Sequence, residues 1–201
     1  MEKLGREFYL RDAVTVAKDL LGKLLVHNSQ EGLTSGIIAE TEAYMGVNDR
    51  ASHTYGGRRT RRTETLYGPP GTLYVYLAYG IHSLLNIVVG PEGVPMAVLL
   101  RSLVPLEGLE LMAKRRGITI EREKDVFKLC RGPGNLTRAM GITVEHNSID
   151  ITGDTIYIVD IGYRDFDVGV GTRIGVDYAG EDELKPWRFY FKNSPYVSKK
   201  H

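Results

Sequence analysis

Apolar positions recur along this chain in two rhythms, one helical and one alternating, and the alternating rhythm dominates. Residues 12–21 (DAVTVAKDLL) carry apolar side chains at helical spacing and run into Gly22, which predicts an amphipathic helix. KLLVH (23–27) and SGIIAETEAY (35–44) flank a polar turn at Asn28 to Gly32 and read as two strands. Behind the breaker Gly68-Pro69-Pro70-Gly71, TLYVYLAY (72–79) and HSLLNIVV (82–89) meet across Gly80, which predicts a hairpin with its tip near Tyr79 to His82. PMAVLLRSLV (95–104) is a further apolar strand. Helical patterns follow at 106–116, stopped by Gly117, and around 121–129 and 134–140. DTIYIVD, GVGTRIGVDY and PWRFYFK then return to strand. Strands joined by short turns, without regular helical crossovers, predict an antiparallel α+β domain and argue against a doubly wound sheet. The glycines are scattered and form neither a phosphate-binding loop nor a dinucleotide fingerprint.

The chain has 201 residues, which fits a single domain over 1–201 with a core large enough to need no disulfide or metal staple. The lone Cys130 has no partner for an internal disulfide and suggests a reducing compartment. No apolar run is as long as a membrane span, and the start MEKLGREFYLRDA lacks a signal-peptide core. A soluble cytoplasmic protein, associated with the nucleoid in a prokaryote, is the expectation.

Net charge is only +1, but it is unevenly spread. The stretch 50–62 (RASHTYGGRRTRR) carries Arg50, Arg58, Arg59, Arg61 and Arg62 with no acid among them. Such a run is as often a solvated loop as a binding surface. Here the tyrosines at 44, 55, 67, 74, 76 and 79 crowd the same region. Basic and aromatic groups together suit nucleic acid.

Alternation in a strand puts Glu40, Glu42 and Tyr44 on one face. An exposed sheet face would account for them. The apolar surroundings, GIIAETEAYMG, favour instead a carboxylate held away from water, where it becomes a stronger base. Spacing alone leaves open which glutamate that is. Arg101, following AVLL, needs an anionic partner if buried, and Glu42 is a natural one. Asn86, inside HSLLNIVV, is either a structural amide or a reader of a polar ligand. His53 is a loop histidine or a hydrogen-bonding group. With five histidines, no HExxH and no Cys–His pairing, no metal site is expected. Tyr74 and Tyr76 share one strand face, where a core role is the commoner reading. Tyr79, at the hairpin tip, is placed to wedge into a nucleic-acid groove.

Taken together, AETEAYMGVNDRASHTYGG, PGTLYVYLAYGIHSLLNIV, VLLRSLVPLEGLE and KPWRFYFKNSPYVS resemble the alkyladenine (3-methyladenine) DNA glycosylase family, in order from about residue 5 to residue 198. The resemblance implies a compact, curved, open-barrel-like antiparallel sheet with peripheral helices and a DNA-inserting β-hairpin. It implies base-excision repair of alkylated or deaminated purines (3-methyladenine, 7-methylguanine, hypoxanthine, ethenoadenine) by hydrolysis of the N-glycosidic bond, leaving an abasic site. Glu42 then corresponds to the base that activates water, and Arg101 to the arginine that helps hold that water. Tyr44, His53 and Tyr76 correspond to the pocket for the flipped base, Asn86 to the asparagine that disfavours normal guanine, and Tyr79 to the intercalating residue. A backbone carbonyl near Ile174 would complete the water site. Arg58, Arg59, Arg61 and Arg62 are expected on phosphates.

Double-stranded DNA with damaged purines is the implied partner, bound by a monomer with no cofactor, no metal and no membrane. His82 stands where relatives carry an aromatic, and Val89 to Val94 is slightly longer than in some members. Neither departure touches the catalytic set. A non-catalytic damaged-DNA-binding protein would use the same tyrosines and arginines without needing Glu42 beside Arg101. An enzyme acting on free nucleosides or RNA would not need Tyr79.

Overall fold

A computed structural model describes residues 2–198 of the chain. The domain expected over 1–201 therefore includes four terminal positions, 1 and 199–201, that lie outside the described residues. The first elements are β1 (Glu2–Lys3), α1 (Arg6–Tyr9) and α2 (Ala13–Asp19). The amphipathic helix predicted from residue 12 starts where the Asp12 side chain accepts a hydrogen bond from the Thr15 N–H at 3.0 Å, an N-cap. Then come β2 (Leu24–Ser29) and the long β3 (Gly32–Tyr44). The predicted hairpin is β4 (Leu73–Ala78) and β5 (His82–Val89), followed by β6 (Met96–Glu107). Three helices, α3 (Leu109–Arg116), α4 (Glu123–Val126) and α5 (Pro133–Met140), precede β7 (Ile156–Asp160), β8 (Val168–Gly171) and β9 (Arg188–Phe191).

Among the described residues the strands form one sheet of nine, every pairing antiparallel, with the order β1-β7-β2-β3-β6-β5-β4. The chain is a single compact α+β domain, as expected. The sheet branches at β3: its first half pairs with β2, while Glu40, Thr41 and Glu42 pair with β9, which carries β8 on its outer side. The main core lies between the sheet and the helices, with Val16 and Ala17 of α2, Leu136 and Met140 of α5, Ile38 of β3 and Leu100 of β6 all buried.

Three elements differ from the reading of the sequence. Residues 106 and 107 continue β6, because Glu107 still pairs with Ser35; the helix starts only after Gly108, whose φ of +76° turns the chain out of the sheet. The helix expected around 121–129 is a single turn. Of the strand expected over 169–178, only the part up to Gly171 pairs; beyond it the Ile174 N–H is taken by the Glu42 carboxylate and not by a neighbouring strand. The short β1 and α1 were not legible as elements at all.

Candidate active site

The β3–β6 ladder contains two compensating irregularities. Ile38 pairs with Leu103 and Glu40 with Ser102, leaving Ala39 extra on β3; Thr41 then pairs with Leu100, leaving Arg101 extra on β6. Such bulges bend strands and re-aim side chains. Arg101 shares the strand face of Leu99, which pairs with Glu42, and so lies on the face that carries the two glutamates. Thr41 points the other way and donates its hydroxyl to the Ala17 carbonyl of α2 at 2.7 Å. The alternation expected for Glu40, Glu42 and Tyr44 holds, and the face is buried, as its apolar surroundings favoured: both carboxylates have zero exposure.

Buried charges must be paired. Arg101 lies 3.4 Å from Glu40 through Nε and 3.4 Å from Glu42 through Nη1. Arg188 of β9 adds a second cation, 3.2 Å from Glu40, and donates Nε to the Thr172 carbonyl at 2.7 Å. Glu42 also accepts the Ile174 N–H at 2.7 Å and the Tyr44 hydroxyl at 2.8 Å. The segment around Ile174 thus reaches Glu42 through its N–H. Every polar group aimed at Glu42 is a donor, which suits a carboxylate that only accepts. The contacts to Arg101 are long for charge-assisted hydrogen bonds of about 2.7–2.9 Å. Tightening on substrate binding is common at such sites.

Tyr44, Arg101 and Ile174 form part of the wall of a cavity of about 420 Å³, with Glu42 immediately behind them. The hairpin supplies Tyr74, Tyr76 and Asn86, and the loop after β3 supplies His53. Tyr74 and Tyr76 stack at 5.3 Å between ring centres, and the His53 ring meets Tyr76 edge-on at 4.6 Å. His53 Nδ1 lies 2.9 Å from the Tyr74 hydroxyl. Burial, aided by the charges of Arg62 and Arg58, lowers the His53 pKa to about 4, so the ring is neutral at neutral pH. Burial also raises the Tyr44 phenol well above its ordinary range, helped by the Glu42 charge, so it remains a donor. Asn86 donates from Nδ2 to the Tyr74 carbonyl at 3.3 Å, a structural bond that leaves it in the cavity wall.

The buried Arg173 guanidinium lies over the Tyr44 ring, 4.9 Å from its centre. Neither Arg173 nor its partner Asp49 stood out in the sequence, and Tyr178, on the cavity lip, was also missed. Arg188 carried the same signal as Arg101, an arginine inside an apolar strand, and could have been found that way.

At the hairpin tip Tyr79 is 94% exposed, with Leu77 and Ile81 also open to solvent. The Ile81 N–H donates to the Ala78 carbonyl at 3.1 Å, and both central residues have positive φ, +52° at Tyr79 and +71° at Gly80. A turn of that shape matches strand twist but strains any residue other than glycine, asparagine or aspartate. His82, past the tip, packs against Gly134 in the first turn of α5, where a Cβ would come within 3.1 Å of the imidazole.

The basic loop is not uniform. Arg59 is held by Glu64 through two hydrogen bonds of 2.9 and 2.6 Å and stacks on Tyr67. Arg62 lies 5.0 Å over the Tyr76 ring at the cavity wall. Arg58 and Arg61 are exposed.

Comparison with known proteins agrees with this architecture. The family described as "Methylpurine-DNA glycosylase (MPG)" matches residues 7–195. A protein of Clostridium acetobutylicum named "Putative 3-methyladenine DNA glycosylase" is 46% identical over 199 residues, covering 98% of this chain and 97% of that one. Proteins of the same name from Desulfitobacterium hafniense and Clostridium perfringens are 44% and 47% identical, covering 100% and 98% of this chain and 100% of their own lengths. The chain belongs to the methylpurine-DNA glycosylase family.

Proposed function

We propose that this protein excises alkylated and deaminated purines from duplex DNA by direct hydrolysis, with Glu42 as the base that activates water. A purine inside the stack is out of reach, so the damaged nucleotide must be turned out of the helix. Tyr79 would fill the gap it leaves, and Arg58 and Arg61 would meet backbone phosphates. The aromatic faces of Tyr44 and Tyr76 suit a base made cationic by alkylation, an attraction worth about 0.5–2 kcal/mol. Each ring already carries one cation of the protein, Arg173 at 4.9 Å from Tyr44 and Arg62 at 5.0 Å from Tyr76.

As the glycosidic bond lengthens, positive charge develops on the sugar. Glu42 would offset that charge and take the proton of the attacking water, while Arg101 holds the water in line. Tyr44 and the Ile174 N–H fix the carboxylate's orientation, so little reorganisation is needed when charge develops. Among the described residues no lysine lines the cavity, which favours water over an amine as nucleophile. The product would be an intact strand with an abasic site.

The observation that carries the reading is Glu42, with zero exposure, directly behind the aromatic cavity and facing Arg101 at 3.4 Å. A binding module would have no use for it. The test is Glu42→Gln, which keeps shape but cannot take a proton. Single-turnover release of hypoxanthine from a defined duplex should slow by at least about 10²–10⁴-fold with lesion binding retained. Parental excision by that variant would refute the reading.

A further inference from the structure

We propose that Glu40 is a positioning residue for excision, acting with Ser198 to hold the Arg101 guanidinium aimed at Glu42; this rests on the reading of Glu42 as the base. Glu40 has zero exposure and, unlike Glu42, accepts no hydrogen bond from Tyr44 or Ile174 of the cavity wall, so it lies further from the substrate than the base does. Its contacts go to the machinery instead. Oε1 faces Arg101 Nε at 3.4 Å and Arg188 Nη1 at 3.2 Å, and Oε2 accepts the Ser198 N–H at 2.8 Å.

The three nitrogens of Arg101 are thereby divided among three groups. Nε faces Glu40 at 3.4 Å, Nη1 faces Glu42 at 3.4 Å, and Nη2 donates to the Ser198 hydroxyl at 3.3 Å. A planar guanidinium drawn by a carboxylate at two corners and hydrogen-bonded at the third has its orientation restricted, although Nε approaches Glu40 without completing a hydrogen bond. Only the Glu42 corner faces the chemistry; Glu40 and Ser198 hold the other two, and the Ser198 N–H ties them to each other. The arrangement matters because Arg101 is the extra residue of a bulge, where the backbone ladder does not constrain it.

Ser198 can serve as a fixed point because the segment before it is anchored. Val197 is buried in the main core, Tyr196 packs edge-on against Phe127 at 4.9 Å, and Arg131 donates to the Pro195 carbonyl at 3.4 Å. A segment far from β3 and β6 in sequence therefore sets the angle of an arginine at the reaction centre. The simpler role for Glu40, neutralising Arg188, would need neither Ser198 nor the approach to Arg101 Nε.

The test uses Glu40→Gln and Ser198→Ala in the full-length protein, and Ser198→Ala also combined with Arg101→Lys, which has no second terminal nitrogen for Ser198 to hold. Single-turnover excision, lesion-DNA Kd and thermal unfolding are measured for each. Coupling of the size usual for contacting, networked groups predicts a rate loss on the order of tenfold for Glu40→Gln and about threefold for Ser198→Ala, with Kd unchanged within about twofold. Ser198→Ala should add nothing in the Arg101→Lys background. Parental rates in both single variants, a loss appearing only in Kd, or an equal Ser198→Ala loss beside Arg101→Lys would overturn the inference. If Glu40→Gln fails to fold, Ser198→Ala alone decides, since it removes one hydroxyl from a partly exposed position. A fully active Glu42→Gln would instead refute the assignment of the base; an inactive Glu42→Gln beside parental Glu40→Gln and Ser198→Ala would refute only the positioning role.

Discussion

Arg173 and Asp49, both without solvent exposure of their side chains, share two hydrogen bonds of 2.6 and 2.9 Å directly beneath the candidate active site. Asp49 also accepts the N–H groups of Met45 and Ala51, each at 3.0 Å, and Arg173 donates to the Ala43 and Asp182 carbonyls at 3.1 and 3.0 Å. The pair joins the loop after β3 to the segment after β8, and the guanidinium stacks between Tyr44 and Trp187. Removing the carboxylate strands a buried cation. Asp49→Ala is therefore expected to lose about 3–5 kcal/mol of stability. Urea unfolding of the variant checks this; a loss below about 1 kcal/mol would mean that the pair is well relieved by water.

Tyr79 combines near-complete exposure with a positive φ of +52°. Glycine at this position has no such strain. Tyr79→Gly should leave stability unchanged or raise it by up to about 1 kcal/mol. The same change should slow excision of a well-paired lesion and spare an unpaired one, because the wedge matters most where the helix resists opening. Equal single-turnover rates on the paired lesion would remove the wedge role, whatever happens to stability.

The loop arginines are expected to divide by their partners. Arg58→Gln with Arg61→Gln should lower affinity for lesion and undamaged DNA alike. The slope of log K against log salt should flatten by about 0.9 for each phosphate no longer neutralised. Arg59→Gln should change the slope less, because Glu64 already engages that guanidinium with two hydrogen bonds. A titration over several salt concentrations separates the two variants. An unaltered slope in the double variant would make the loop a solvated surface only.

His53 titrates at about 4 when folded, below its ordinary 6.5. Between those values the unfolded chain binds more protons than the folded one, so stability is complete above pH 6.5 and falls as pH drops towards 4. His53→Gln removes this contribution and should make stability less dependent on pH in that window. Burial also lowers the pKa of His27, which adds in the same direction, so some slope will remain. Urea denaturation of parent and variant at about pH 7, 5.5 and 4.5 gives the comparison, and an equal or steeper dependence in the variant would contradict the assigned sign.

Much of the site is legible in the strand pattern. Alternation placed Glu40, Glu42 and Tyr44 on one face, and Thr41, bonded to α2, has the opposite phase. The two β-rich runs around Gly80 form the hairpin, with Tyr79 at its tip. What alternation could not reveal was that Glu40 and Glu42 have different neighbours. That depends on β9, which enters from the far end of the chain, pairs with β3 at those residues and brings Arg188 to Glu40.

Local pattern determined the strand-rich α+β class, the hairpin and the residue types able to bind a base, because side-chain period and turn chemistry act over a few neighbouring residues. The family resemblance supplied the roles expected of Glu42, Arg101, Tyr44, His53, Tyr76, Asn86 and Tyr79. Tertiary structure alone decided the rest. The opposed bulges at Ala39 and Arg101 exist only as a relation between two strands. The pairing of Arg173 with Asp49 and of Ser198 with Glu40 spans most of the chain. Long-range pairs of this kind leave no periodic trace, since what selects them is the cost of a buried charge without a partner, and that cost arises only once the chain has folded.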